Sequence, residues 1–180
     1  MPKKAERYTS DILSRPGMVF AVDLKDPKER IQAYLDSYKN DPETTAFDAS
    51  LMKHHLKLLS ATAPPKVTAT FTMKVTRDFC STMRNMHGGA IALVLDMCTT
   101  ACMAPVSTPD FWLFGGVSRT LNTTFLRAIR EGTEIEVFCE VLHVGARLAA
   151  IRGEIRDCAD GKLFVVGEHN KASISFEKKL

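Results

Sequence analysis

The feature that most limits how this chain can fold is one long apolar stretch near its middle, from Ala90 to Ala104. The residues His87-Gly88-Gly89 stand before it and Pro105 closes it, so the pattern predicts a single helix. A helix that is apolar nearly all round is normally buried by the rest of its domain. The other elements are therefore expected to be built around this one.

Strand patterns flank the predicted central helix. Residues 67–75, before it, are rich in β-branched side chains, and no long helical pattern follows it. Strand-like stretches come after the helix instead, near residues 112–126, 133–144, 147–157 and 162–174. In two of them apolar residues alternate with Glu and Arg, and Gly145-Ala146 and Asp160-Gly161 mark turns between neighbours. We therefore predict an α+β fold in which an antiparallel sheet wraps around the central buried helix.

Two further helices are predicted before the sheet. Asp26 is suited to the N-cap, with Pro27 at the first helical position and Glu29 at the third. The same signal recurs at Asp41-Pro42-Glu43, and the apolar residues of this second helix are Phe47, Leu51, Leu58 and Leu59. The chain thus divides into residues 1–65, an N-terminal arm with two packing helices, and residues 66–180, the sheet domain.

Composition and charge exclude several classes of protein. The chain has 180 residues, of which 45% are hydrophobic and 25% charged, as expected for one soluble globular domain. Its net charge is only +3 and its basic residues are scattered, so nucleic acid is not an expected partner. No apolar run is expected to reach the roughly 18 residues of a membrane span. An odd number of cysteines without metal-binding spacing indicates a reducing compartment, cytoplasmic or mitochondrial.

Asp96 is the most informative residue, because it lies between Leu95 and Met97 in a helix with almost no polar face. An unpaired carboxylate is costly to bury, so such a residue has either a bonding partner or a function. A structural carboxylate bonded to Thr99 or Thr100 is the alternative interpretation. Cys98 and Cys102, one helical turn apart, are interpreted as buried apolar residues.

The residues His87-Gly88-Gly89 predict a site at the start of the same helix. Backbone N–H groups there lack intrahelical partners, and glycine lets a carbonyl oxygen approach them. A plain turn is the alternative. Gly88 and Asp96 are roughly 12 Å apart along a helix, too far to touch one bond. Two copies with antiparallel helices would bring Asp96 of one to Gly88 of the other, which predicts a homodimer with two sites.

A family resemblance makes these expectations specific. The stretch N-M-H-G-G-A-I-A-L-V-L-D (Asn85 to Asp96), followed by G-V-S-R-T-L-N-T-T-F-L (Gly116 to Leu126), V-G-A-R and D-G-K-L, resembles the PaaI-like, thioesterase-superfamily-member branch of hotdog-fold acyl-CoA thioesterases. The match covers roughly residues 67–174. It implies a hotdog fold and hydrolysis of acyl-CoA or acyl-carrier thioesters, with neither metal nor cofactor. It also implies homodimers, which in this family often form homotetramers.

The resemblance also implies roles for individual residues. The Gly88 N–H would polarise the thioester carbonyl, with His87 and Gly89 shaping the carbonyl site. Asp96 of the partner subunit would activate water or attack directly, and Ser118 would orient the water and the acid.

Two positions of the motif bear on substrate binding. Relatives place an asparagine six residues before the histidine, where this chain has Ser81, and Asn85 is the candidate to replace it. Arg147, after the V-G-A turn, is a candidate contact for CoA phosphates. His143 and His169 lie in strand patterns and are interpreted as structural.

Two other functions remain open from the residues alone. The same fold carries out dehydration in other families, with a histidine and an acid on the central helix. A non-catalytic acyl-binding or scaffold protein would keep the dimer and lose the donor at position 81. The nine-residue step from His87 to Asp96, and Ser118 downstream, favour the thioesterase.

Overall fold

The computed structural model describes residues 13–41 and 43–174, in which one sheet of six strands wraps around a central helix. In chain order the elements are α1 (Pro27–Lys39), β1 (Lys57–Ala61), β2 (Thr68–Lys74), α2 (Gly88–Ala101), β3 (Val117–Phe125), β4 (Glu134–Val144), β5 (Leu148–Asp157) and β6 (Leu163–Ala172). The strand order is β1-β2-β4-β5-β6-β3, and all neighbours are antiparallel. The predicted α+β architecture is confirmed. Residues 1–12 of the predicted arm and Pro42 of the second predicted helix lie outside the described part.

Most predicted boundaries agree with the structure to within a few residues. α1 begins as expected, with the Asp26 side chain accepting a hydrogen bond from the Glu29 N–H at 2.9 Å. The stretch 112–126 becomes a strand only at Val117. Before it, Trp112 and Gly116 have φ values of 53° and 70°, a left-handed backbone that interrupts a strand.

The second predicted helix is wrong. Leu51–His55 form a single wide helical turn, Lys57–Ala61 form the strand β1, and Phe47 is 88% exposed. β1 pairs with β2 and places Leu58 opposite Phe71, so ladder hydrogen bonds and burial outweigh a weak helical period. The sheet therefore begins at Lys57, upstream of the boundary predicted at residue 65.

A pit in the sheet determines how closely α2 approaches it. Gly153 on β5 and Gly167 on β6 are directly opposite each other, and the side chain of Leu95 fills the space above them. A Cβ atom on Gly153 would lie 2.7 Å from Leu95 Cδ2, and one on Gly167 would lie 2.9 Å from Cδ1. Leu95 is fully buried in a close-packed core, so it has little room to move aside. The two glycines thus allow α2 to lie against the sheet.

One stripe of α2 and both faces of β3 are left uncovered. The partly exposed residues of α2 recur at helical spacing, at Ala92, Leu93, Asp96 and Thr100. β3 is an edge strand that is exposed along most of its length, with Val117 48% and Phe125 53% exposed. The expectation of a helix buried on all sides is therefore wrong for this one stripe.

The stretch Gly88–Val106 also corrects an expectation about membranes. It has 19 residues and a hydropathy of 1.6, so it is long and apolar enough to cross a membrane by length and composition. In this fold it contains α2, whose apolar residues pack inside the sheet. Core helices and membrane spans share this composition because both keep apolar side chains away from water.

Helix α1 connects residues 20–22 with the segment that follows α2. Arg30 donates hydrogen bonds to the Val22 carbonyl at 2.7 Å and to the Ser107 carbonyl at 2.9 Å. The buried rings of Phe20 and Tyr34 pack with their centroids 5.2 Å apart. These contacts enclose the end of α2 beyond Thr100.

Replacing Gly153 by alanine is expected to lower the free energy of unfolding by about 1 to 3 kcal/mol, because the new methyl group overlaps Leu95 in a filled core. Urea denaturation measures the loss. Leu95→Ala alone should cost roughly 2 to 5 kcal/mol. In the double variant the methyl group enters space that Leu95 has left, so the two losses should not add. Strictly additive losses would show that this contact does not limit the position of α2.

Candidate active site

The N-terminus of α2 leaves the Gly88 N–H available as a backbone donor. His87 is the N-cap, and its Nδ1 accepts a hydrogen bond from the Gly89 N–H at 3.0 Å. The Gly88 N–H is at the first helical position, where no intrahelical acceptor exists, and none is found elsewhere in the described part of the chain. The helix dipole adds partial positive charge at this point. The Gly88 N–H, and not that of Gly89, can therefore bind an oxygen atom of a ligand.

A groove of about 380 Å³ opens beside Gly88. Its apolar lining is formed by Met86, Ile91, Phe125, Leu126 and Ile129. A Cβ atom on Gly88 would lie 3.5 Å from the ring of Phe125, so glycine keeps the backbone accessible from the groove. The groove is therefore suited to a flexible, largely apolar ligand that ends in a polar group at Gly88.

Asn85 reaches this groove, whereas Ser81 is not among the described residues that line it. The Ser81 N–H donates to the Asn85 carbonyl at 2.8 Å, and the Ser81 carbonyl accepts from the Arg84 N–H at 3.0 Å. These bonds close a turn that carries Asn85 next to the start of α2. Arg127 also lines the groove, a residue that sequence patterns did not indicate.

A second cluster of polar groups surrounds Asp96, whose side chain is 38% exposed on the uncovered stripe of α2. Its Oδ1 accepts a hydrogen bond from Ser118 Oγ at 3.3 Å. His169 Nε2 is 2.9 Å from the same Ser118 Oγ, and its Nδ1 is 2.6 Å from Thr99 Oγ1. The structure thus joins the two predicted residues, Asp96 and Ser118, to a buried histidine.

The imidazole of His169 is neutral at physiological pH. Burial and the nearby cation of Lys171 lower its pKa to about 4, against the opposing effect of Asp96. A neutral ring has one N–H donor and one bare nitrogen that accepts. The 3.6 Å approach of Nε2 to Asp96 Oδ1 is therefore not an ion pair.

Lys171 lies beside this cluster and is only 2% exposed. Its Nζ donates a hydrogen bond to Thr100 Oγ1 at 2.8 Å. Burial lowers the pKa of Lys171 to about 8, and the Asp96 carboxylate acts in the opposite direction. At neutral pH a buried ammonium therefore accompanies the carboxylate.

The sequence patterns predict a structural role for His169 and do not indicate Lys171, but the burial pattern of β6 marks both residues. Alternate residues of β6 are buried on the face toward α2, and they include Val165, Gly167, His169 and Lys171. Polar groups on such a face require hydrogen-bond partners. The hydroxyl groups of α2 provide them.

Within one chain, the two clusters stay apart. Gly88 is the first residue of α2 and Asp96 lies more than two turns later, roughly 12 Å along the helix axis. Arg147 is exposed on the turn between β4 and β5, where its carbonyl accepts from the Ser173 N–H at 2.9 Å, and it does not line the groove. One chain therefore carries two candidate half-sites, one around Gly88 and one around Asp96.

A sheet wrapped around a helix that offers an N–H donor at its start and a carboxylate farther along is the arrangement of a hotdog-fold thioesterase. Residues 83–163 match the family model described as the thioesterase superfamily. The chain is 30% identical to acyl-coenzyme A thioesterase 13 from Homo sapiens over 116 residues, which cover 64% of this chain and 78% of that protein. The chain belongs to the thioesterase superfamily.

Solved structures agree with this assignment. The crystal structure of zebra fish thioesterase superfamily member 2 is 28% identical, with a TM-score of 0.66 over 79% of this chain and 96% of that chain. The PaaI protein of E. coli is 16% identical and shares the fold, with a TM-score of 0.61 over 81% of this chain and 95% of that chain.

Protonation of His169 should make stability depend on pH. Its pKa is lowered from 6.5 to about 4 by folding, so between these values the unfolded chain binds a proton that the folded chain does not. The free energy of unfolding should therefore fall as the pH drops from 7 to 5, by on the order of 1 to 2 kcal/mol from this residue. Urea denaturation at the two pH values should show a smaller fall for His169→Gln. His143→Gln, an exposed site on β4, is the matched control, and a fall in His169→Gln as large as in the wild type would contradict a neutral His169.

Proposed function

We propose that this protein hydrolyses acyl-CoA or acyl-carrier thioesters to a free acid and a thiol. The observation that carries the proposal is the half-site around Asp96, a solvent-accessible carboxylate bonded to Ser118 and backed by His169. Such a carboxylate can accept a proton from water as the water attacks a carbonyl carbon. The similarity to acyl-coenzyme A thioesterase 13 supports CoA as the thiol.

In the proposed mechanism the active site forms between two copies of the chain. Asp96 of one subunit faces the Gly88 N–H of the other, so that one thioester meets a base and a carbonyl-polarising donor. The edge strand β3 supports this assembly, because no other described strand pairs with its outer edge and its exposed side chains include Val117 and Phe125. Antiparallel pairing of two β3 strands about a two-fold axis would bring together the uncovered stripes of both α2 helices.

The reaction needs only these groups. The water oxygen attacks the thioester carbon, Asp96 takes the proton that the water loses, and the Gly88 N–H stabilises the oxyanion. Collapse of the tetrahedral intermediate breaks the carbon–sulfur bond, and the departing thiolate takes the proton held by Asp96 and leaves as the thiol. Because a thiolate is a good leaving group, a serine or cysteine nucleophile is not required.

The side chains behind Asp96 can adapt to its change of charge. While Asp96 is a carboxylate, Ser118 donates to it and the Nε2–H of His169 donates to Ser118. Thr99 then donates to the bare Nδ1. Once Asp96 is protonated, the direction of donation reverses: Asp96 donates to Ser118, and Ser118 donates to His169. The other tautomer of His169 then donates to Thr99, whose hydroxyl is 2.6 Å from the Leu95 carbonyl. Each donor has an acceptor in both states.

The groove beside Gly88 is the proposed site for the arm of the thiol. Its apolar lining suits a pantetheine chain, and Arg127 at its polar side is suited to a phosphate. Asn85 lines the groove near Gly88, and we propose that its amide is a second donor to the carbonyl or to the departing sulfur. This placement assigns to Asn85 the role left open by Ser81.

Asp96→Asn should reduce hydrolysis by roughly 10²- to 10⁴-fold and leave a folded dimer, because an amide does not accept the proton of water. Thiol release from short, medium, long and aromatic acyl-CoAs measures the rate and identifies the preferred acyl group. Asp160→Asn, on the exposed β5–β6 turn, is the matched control with wild-type turnover. Unchanged turnover in Asp96→Asn would contradict the mechanism. If the wild-type protein hydrolyses none of these acyl-CoAs, the non-catalytic alternative is favoured.

A mixing experiment tests whether Gly88 and Asp96 act across subunits. Gly88→Pro removes the N–H but suits the first helical position, and His87 already has the extended backbone that precedes proline (φ −68°, ψ 140°). Gly88→Pro and Asp96→Asn should each be inactive alone. Random mixed dimers contain one intact site, so co-expression should restore about a quarter of wild-type activity. No recovery in verified mixed dimers would place both groups in one chain.

We also propose that the protein works in a reducing compartment, either the cytoplasm or mitochondria. All five cysteines are unpaired, and three of them are buried, Cys98, Cys102 and Cys139. Burial raises the pKa of the Cys102 thiol to about 12, which keeps it unreactive. Microscopy of a fluorescent fusion distinguishes these locations from a secreted protein.

A further inference from the structure

Lys171 is a buried charged residue to which the proposed mechanism assigns no role. It is on the face of β6 that packs against α2 and is only 2% exposed. Lysine is almost never buried to this extent without a partner. A methionine would fill the same space without the cost of burying a charge, so the ammonium requires an explanation.

Lys171 is hydrogen-bonded to a residue one helical turn beyond the proposed base. Its Nζ donates to Thr100 Oγ1 at 2.8 Å. Thr100 follows Asp96 by one helical turn, so both are on the uncovered stripe of α2. His169, which is bonded to Ser118, is two residues before Lys171 on the same face of β6. The ammonium therefore shares a face of the sheet with His169 and reaches the stripe of α2 that carries Asp96.

Within the described part of the cluster, Lys171 carries the only positive charge. From α2, the Asp96 carboxylate attracts the ammonium. From β6, His169 is neutral, and the Lys171 cation is one cause of its lowered pKa, after burial. From α1, Tyr34 interacts with Asp96, and burial raises the pKa of its phenol so that it also stays neutral.

We propose that Lys171 is a positioning residue whose buried ammonium keeps His169 unprotonated, so that His169 can accept from Ser118 when Asp96 takes up a proton, and so extends thioester hydrolysis toward acid pH. The inference rests on the proposed role of Asp96. A like charge at short range disfavours the imidazolium. Because Lys171 acts through His169 and not on the substrate, its effect belongs in the pH profile and not in KM.

The test compares Lys171→Met with the wild type across the pH range. Methionine keeps the length and apolar packing of the side chain, and loss of a buried charge is often tolerated. Near pH 8 the variant should turn over at a rate close to the wild type, with KM unchanged. On the acid side its half-maximal activity should move up by about one pH unit or more, because His169 then binds a proton more readily. Lys171→Arg should restore the wild-type acid limb, since it keeps the charge.

The control is Lys74→Met, an exposed lysine on β2, which should leave the whole profile unchanged. An acid limb that does not move in Lys171→Met would overturn the proposal. So would a loss of rate that is equal at every pH, because that outcome indicates only structural damage.

A second measurement does not depend on activity. NMR titration of the histidine rings, with His169 assigned by the spectrum of His169→Gln, should show the pKa of His169 rising from about 4 in the wild type to a higher value in Lys171→Met. If the wild type hydrolyses no thioester, the proposed function fails, and this titration still decides the role of Lys171. A His169 titration that is identical in both proteins would overturn that role.

Discussion

The contact between Leu95 and two opposed glycines of the sheet is the constraint on which the rest of this structure depends. Gly153 and Gly167 lack the Cβ atoms that would hold α2 away, so Leu95 sinks between β5 and β6. At this short distance between α2 and the sheet, the next turn of the helix also reaches the sheet, and Thr99 bonds to His169 at 2.6 Å. A helix displaced by the width of a methyl group would lengthen such bonds beyond their useful range. Core packing and site geometry are therefore parts of one arrangement.

Helix α2 holds the two proposed catalytic groups, the Gly88 N–H and the Asp96 carboxylate, far apart within one chain. Its first N–H, at Gly88, has no intrahelical acceptor and no other acceptor among the described residues, and its carboxylate at Asp96 is more than two turns away. Among the described residues, the fold covers α2 except for the stripe that carries Asp96, and β3 is an edge strand whose outer edge has no partner strand. In the proposed dimer one surface would both hold the subunits together and complete the site. Assembly and catalysis would then depend on the same residues.

Local patterns were sufficient wherever local forces decide the structure. The capping residues before Ile31 predicted α1, and alternation predicted β4 and β5 because one face of each is buried. Local patterns failed for the second predicted helix, since Leu58 is stabilised more by strand pairing beside Phe71 than by continuing a helical turn. They also failed before Val117, where left-handed residues delay the strand. In the first failure a pairing with another strand outweighed the local preference, and in the second the backbone itself left the strand conformation.

The sequence by itself determined the central helix, the strands β2 to β6 around it, and the two residues of the motif, Gly88 and Asp96. Those features depend on periodicity and on residue types close together along the chain. Only the tertiary structure decided that His169 and Lys171 stand behind Asp96, and that Asn85 and not Ser81 reaches the groove. The physical reason is that β6 enters the sheet far from α2 in sequence, and its register determines which hydroxyl group each buried polar side chain meets. A register shifted by one residue would turn both side chains to the outer face of the sheet.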